Sequence, residues 1–107
     1  FTVKDKITQA DNNITFIGRA AFIGAKNIKT ITLSNIKHID RNAFKNTFLK
    51  EVHCRMNNDI ANIIISNYAF DEDDYNICTL YVPSDALLNY KQHPVWGKFK
   101  NIEIEKL

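Results

Sequence analysis

Three stretches of the chain share one spelling. Ile17-Gly-Arg-Ala-Ala21-Phe22, Ile39-Asp-Arg-Asn-Ala43-Phe44 and Ile65-Ser-Asn-Tyr-Ala69-Phe70 all read I-x-x-x-A-F, separated by 22 and 26 residues. Each is followed at nearly constant distance by a block of form L-x-x-L-x-L. Its copies are Ile28-Lys-Thr-Ile31-Thr-Leu33, Leu49-Lys-Glu-Val52-His-Cys54 and Ile77-Cys-Thr-Leu80-Tyr-Val82. Phe99-Lys-Asn-Ile102-Glu-Ile104 is a fourth copy of the second block, and Phe1-Thr2-Val3 has the form of the last half of an earlier one. A period this short describes a unit that cannot bury its own apolar face, so the units must stack.

The spacing within each block assigns its geometry. In x-L-x-L, alternate residues point the same way, as in a half-buried strand. Ile31 with Leu33, Val52 with Cys54, Leu80 with Val82, and Ile102 with Ile104 are therefore expected to face a common core, with Phe1 and Val3 on the same side. Strands from successive coils lie ~4.8 Å apart and form a narrow parallel sheet of four or five members. The A-F block crosses the far side of each coil. There the small Ala permits close approach, and Phe22, Phe44 and Phe70 are expected to stack as a column. Ile14-Thr-Phe16-Ile17, Ile36-Lys-His38-Ile39 and Ile63-Ile-Ile65 read as a second set of short strands. Arg55-Met-Asn-Asn-Asp59 and Asp71-Glu-Asp-Asp74 are insertions in the third coil, the latter a solvated acidic loop. Pro83 stops the third strand, Ser84 reads as the N-cap of a helix over Ala86–Tyr90, and Pro94 blocks its continuation.

These blocks divide the chain into 1–13, a partial N-terminal repeat and loop, 14–83, three coils, and 84–107, a C-terminal cap with a closing strand, all one domain of 107 residues. The opening in mid-repeat gives the expectation that the natural array continues N-terminally and that this is a monomeric domain of a longer chain. Hydrophobic residues make up 45% and charged residues 24%, the balance of a folded rather than a disordered chain. A net charge of +2, with Lys and Arg scattered, lacks the electrostatic footprint of a nucleic-acid binder, and no apolar run is long enough to cross a membrane. Cys54 and Cys78 belong to no CxxC motif. Buried free thiols are expected, with a Cys54–Cys78 bridge as the alternative. Asn13-Ile14-Thr15 is a formal glycosylation sequon.

The coupled pattern I-x-x-x-A-F then L-K-x-I-x-L resembles the BspA-like class of leucine-rich repeats. Leu80-Tyr-Val-Pro-Ser-Asp-Ala-Leu-Leu-Asn-Tyr-Lys, followed by Trp96 and Phe99, resembles the usual ending of such arrays. The likeness covers roughly residues 14–104. It departs from the family after the Phe block, where a Gly, Asn or Cys is usual and the third coil has the acidic loop. The resemblance implies an α/β, β-rich fold, a right-handed leucine-rich-repeat solenoid with a short cap helix. It further implies a bacterial cell-surface or secreted protein engaged in adhesion or recognition, with no enzyme activity, no cofactor and no catalytic residues; no metal is expected either, because the adjacent His53 and Cys54 would point to opposite faces of a strand.

Residues between the core positions of each strand face outward, on the concave side in this family's fold. Thr30, Thr32, Glu51, His53, Thr79, Tyr81 and Glu103, with Arg55 flanking them, are the candidate binding face. The mixture of an aromatic, an imidazole, hydroxyls and both charges suits contact with a protein or a glycan. Tyr81 and His53 are its central candidates, since Tyr supplies contact area at low entropic cost. The alternative is a spacer or end cap of a longer surface protein that has no ligand of its own.

Overall fold

A computed structural model describes residues 15–56 and 60–105. The Phe1-Thr2-Val3 half-block, Asn13 of the sequon and part of the 55–59 insertion lie outside the described residues. Within them the chain alternates between two parallel sheets. Strands β1 (Phe16–Ile17), β3 (His38–Ile39) and β5 (Ile64–Ile65) form one, in the order β1-β3-β5; β2 (Thr30–Leu33), β4 (Glu51–Cys54), β6 (Thr79–Val82) and β7 (Asn101–Ile104) form the other, in the order β2-β4-β6-β7. The larger sheet has the register expected from the repeats, with Ile31 opposite Val52, Val52 opposite Leu80 and Leu80 opposite Ile102. Each coil therefore lays one strand of each sheet beside the same strand of the coil before it.

Alternation explains which side of β2, β4 and β6 is covered. Ile31, Leu33, Val52, Cys54, Leu80 and Val82 are all fully buried in one contiguous core. The A-F turns close the opposite side. Phe22 lies on Phe44 with ring centroids 5.2 Å apart and planes 7° off parallel, and Phe44 lies on Phe70 at 4.9 Å and 8°. These spacings match the strand separation because the same coil-to-coil step generates both. The turns also bond to one another through the backbone: Phe22 N–H donates to the Ala43 carbonyl (2.7 Å) and Phe44 N–H to that of Ala69 (2.9 Å). The turn repeats even its unusual torsions. Ala20 and Asn42 precede the A-F pair at φ 57° and 59°, and Gly24 and Asn46 follow it at 72° and 58°. Gly and Asn accept the left-handed region readily, which accounts for their presence just after the Phe; Ala20 bears a local cost of about 1 kcal/mol.

The third coil departs from the sequence reading. Asp71–Asp74 is not a loop but the start of helix α1 (Glu72–Ile77), with Asp71 at the N-cap. Asp71 N–H donates to the Asp74 carboxylate (3.0 Å), and Asp71 in turn accepts from Asn46 N–H (2.9 Å) of the coil before. The helix changes the lead-in to the next strand block while leaving its register intact. Ile77, the expected leading core position, is 63% exposed, and Cys78 fills its place, fully buried, donating its thiol proton to the Leu49 carbonyl (2.9 Å). Burial pushes the Cys78 thiol up to about 12, which keeps it protonated and suited to donate. Cys54 is likewise buried, and both cysteines are free.

Asp74 is only 5% exposed, and its carboxyl is pushed up to about 6, first by burial and then by the charges of Asp71 and Asp73. A folded pKa above the unfolded value of 3.8 means that the folded state binds the extra proton between about pH 4 and 6. The stability this proton confers is present in acid and is lost as pH rises through that window. Asp74→Asn keeps an acceptor for Asp71 N–H and removes the buried charge. It is expected to raise stability at pH 7 by about 1–2 kcal/mol and to change it little at pH 4, as read by urea denaturation of both proteins at the two pH values.

The C-terminal segment runs through a 3-10 turn at Ser84–Ala86, helix α2 (Leu87–Gln92) and a second 3-10 turn at Trp96–Lys98 before entering β7. Ser84 is the first residue of its turn rather than a helix N-cap, and no side-chain bond caps that turn; Pro83 precedes it in extended conformation. Phe70 ends the parallel column by meeting Phe99 edge-on at 5.2 Å and 79°, and Trp96 at 6.0 Å. Tyr90 reaches across to donate its hydroxyl proton to the Met56 carbonyl (2.6 Å). In β7 the expected inward pair is only half realised. Ile102 is half-buried, but Ile104 is 42% exposed on β7, the edge strand of the larger sheet among the described residues.

Candidate functional site

The outward residues of the larger sheet fall into two rows across the strands. One row is Thr30, Glu51, Thr79 and Asn101; the other is Thr32, His53, Tyr81 and Glu103. Strand pairing alone sets this order, since one residue of slip would exchange the two faces. Seven of the eight candidate residues therefore share one face, and Arg55, just beyond β4, joins it through Glu105. The residues on β2, β4 and β6 are half-buried, while Glu103 and Arg55 are exposed.

Side-chain contacts concentrate the face at its centre. The His53 ring stacks on Tyr81 from the neighbouring strand at 4.6 Å and 10°. Its Nε2 lies 2.8 Å from Glu51 Oε1, and its Nδ1 meets Glu105 Oε2. Arg55 Nε donates to the other Glu105 oxygen (2.9 Å). Glu105 was not among the sequence candidates, yet its side chain is only 8% exposed and it joins two of them. Its backbone N–H donates to the Val82 carbonyl (2.8 Å), which prolongs the β7 ladder by one residue. The signal was present in the alternation Asn101, Glu103, Glu105, which continues past the last apolar position. Thr30, Thr32 and Thr79 complete the rows, and Glu103 lies beside Tyr81 on the outermost strand.

The electrostatics of the cluster are mixed. Burial pushes the Glu105 carboxyl up, but hydrogen bonds from His53 and Arg55 outweigh it and leave the group below its ordinary range. The His53–Glu105–Arg55 tie therefore holds at neutral pH and weakens as acid protonates the carboxylate. The Tyr81 phenol is pushed up by partial desolvation and by the carboxylates of Glu51, Glu103 and Glu105. Both imidazole nitrogens of His53 face carboxylates, Nε2 that of Glu51 and Nδ1 that of Glu105. That arrangement leaves no ring nitrogen free to act as a base on a substrate. It fixes a rigid aromatic platform instead.

The other histidines lie elsewhere. His38 packs on Phe16 in the smaller sheet at 4.7 Å, and His93 accepts from the backbone N–H groups of Val95 and Trp96 (3.1 and 3.3 Å). Burial lowers the pKa of His93 and favours the neutral ring those bonds require. Among the described residues there is no group of three or more His, Cys, Asp or Glu able to hold a metal, and no helix long and apolar enough to cross a membrane.

A family model described as the BspA type leucine rich repeat region (6 copies) matches residues 4–92. The chain belongs to the BspA-type leucine-rich repeat family. No curated protein sequence matches it. The BspA-type family is associated with bacterial surface proteins, is typically non-enzymatic, and its repeats commonly mediate protein interactions. In this BspA-type chain the two parallel sheets and the aromatic column are the physical form of the I-x-x-x-A-F and L-x-x-L-x-L blocks.

Proposed function

We infer that the chain is a non-catalytic binding module of a bacterial cell-surface or secreted protein, a single domain that contacts a protein or glycan through the outer face of β2, β4, β6 and β7. The observation that carries this reading is the His53–Tyr81 stack, an aromatic platform held between Glu51, Arg55 and Glu105 on a face bearing the hydroxyls of Thr30, Thr32 and Thr79. Preorganised aromatic and Arg side chains lose little entropy on binding and are the usual anchors of recognition surfaces. The segment from Ser84 to Lys100 serves as the cap that shields the last coil, and it leaves the face unobstructed for a partner.

The test uses wild-type protein and Tyr81→Ala on an array of immobilised extracellular-matrix proteins and surface glycans. Tyr81→Ala should weaken the wild-type interaction about 30-fold, the scale of a central anchor, while moving the thermal midpoint by about 4 °C or less. Retention of no array member by the wild type, or equal binding by the variant, would sink the reading. A second reading, the spacer or end cap, draws on one observation: the polar groups at the centre of the face already satisfy one another. A silent array would favour it.

A further inference from the structure

A second surface lies on the flank of the coils, away from the sheet face. Successive coils supply it in order: Lys26 and Lys29 from the first, Phe48 and Lys50 from the second, and Asp73 and Ile77 from helix α1 of the third. They surround a cavity of about 520 Å³, within the size range of ligand pockets. Phe48 is 54% exposed and Ile77 is 63% exposed, the latter because α1 displaced it from the core position that Cys78 occupies.

The charges beside them are arranged. Lys26 Nζ sits 5.4 Å and Lys29 Nζ 4.9 Å from the centre of the Phe48 ring, and Lys29 Nζ also donates to the Lys26 carbonyl (3.1 Å). None of Lys26, Lys29 and Lys50 has a carboxylate at ion-pair distance among the described residues, where every ion pair involves His53 or Arg55. At the far end, Asp71, Asp73 and Asp74 line the cavity, so its cations come from the first and second coils, its exposed apolar side chains from the second and third, and its carboxylates from the third.

We propose that this cavity docks an extended segment of a partner protein carrying an acidic side chain and, two residues on, an aromatic one. The carboxylate lies among Lys26, Lys29 and Lys50, and the aromatic ring lies between Phe48 and Ile77. In an extended chain residues i and i+2 point the same way about 7 Å apart, so an acidic and an aromatic side chain at that spacing enter the same cavity. The lysines standing over Phe48 hold its ring in place and offer their remaining donors to a carboxylate. A basic segment is disfavoured at the lysine end, and Asp73 rejects the acidic segment in the reverse direction. This surface is separate from the sheet face, and it stands or falls independently of the function proposed there.

The experiment titrates three acetylated and amidated tetrapeptides, Glu-Gly-Phe-Gly, Gln-Gly-Phe-Gly and Lys-Gly-Phe-Gly, into isotope-labelled protein followed by NMR. The Glu peptide should saturate in the millimolar range or tighter, perturb the amides of Lys29, Phe48 and Ile77, and bind at least about 5-fold tighter than the Gln peptide. The double variant Lys26→Gln/Lys29→Gln should abolish the Glu-over-Gln preference, and Phe48→Ala should weaken both peptides by about 10-fold; these side chains are exposed, so the variants keep the fold. Three results would overturn the proposal: no saturable perturbation at these amides up to about 10 mM, equal or tighter binding of the Lys peptide, or an unchanged preference in the double lysine variant.

Discussion

Replacing Phe44 by Ala is expected to lower the unfolding free energy by about 3–5 kcal/mol, a large share of the stability of a domain this size. Phe44 is the middle member of the column, fully buried, with parallel rings on both sides at 5.2 and 4.9 Å. Removing the ring takes away its transfer free energy and opens a void flanked by Phe22 and Phe70. Collapse cannot fill that void cheaply, because the separation of those rings is set by strand spacing and by the backbone bonds from Phe22 to Ala43 and from Phe44 to Ala69. In a repeat fold the loss also weakens both coil-to-coil interfaces that meet at the ring, so cooperativity between the first and third coils should suffer together with stability. Urea denaturation followed by fluorescence of Trp96, at the far end of the column, reads both effects through the midpoint and the slope. Phe44→Leu should recover about half of the loss. A penalty below about 1 kcal/mol for Phe44→Ala would mean that the column is not what joins the coils.

Most of this architecture was legible because repetition multiplies a weak signal. The alternation at Thr30-Ile31-Thr32-Leu33 alone would fit any half-buried strand, but its recurrence at Glu51–Cys54 and Thr79–Val82 fixed both the register and the buried face. The same held for Phe22, Phe44 and Phe70. What escaped was local and non-repeating. The four consecutive carboxylates from Asp71 to Asp74 read as solvated because charge favours water; yet Asp71 and Asp74 stand three apart, the spacing at which an N-cap residue and an N3 carboxylate brace a helix start. The short helix that results moved Ile77 outward and Cys78 inward, a swap that a strand-based alignment of the blocks cannot register. Ile104 departs from the pattern on β7, the edge strand of the larger sheet among the described residues, where the inward position is left partly open. On the candidate face, the strand rule placed seven residues together with Arg55 flanking them, but it was read only as far as the last apolar position and so missed Glu105, one step further along the same alternation, which His53 and Arg55 reach.

Gly97→Ala is the second large effect, and it arises from space rather than from backbone torsion. Gly97 does not occupy the left-handed region, so a Cβ is not excluded on conformational grounds. It is excluded because that Cβ would stand 2.4 Å from the carbonyl oxygen of Lys91 and 3.2 Å from its carbon, both backbone atoms of α2. A side chain could swing aside; a helix carbonyl moves only with its helix. Gly97 N–H donates to the His93 carbonyl (2.9 Å), so the second 3-10 turn is tied to the end of α2 and cannot retreat without breaking that bond. Forcing the two apart would displace Trp96, fully buried against Tyr90 at 5.9 Å and Phe99 at 6.3 Å, and with it the ring that Phe70 meets. The expected destabilisation is about 3 kcal/mol, the upper end for overpacking, accompanied by a red shift of Trp96 emission as its pocket opens. Gly24→Ala supplies the contrast, since nothing lies within 4 Å of its Cβ and only the φ of 72° opposes it. That variant should lose about 1 kcal/mol with Trp96 emission unchanged. Equal penalties at the two glycines, or a Gly97→Ala protein with native emission, would show that α2 and the Trp96 turn are not locked together as the backbone contact requires.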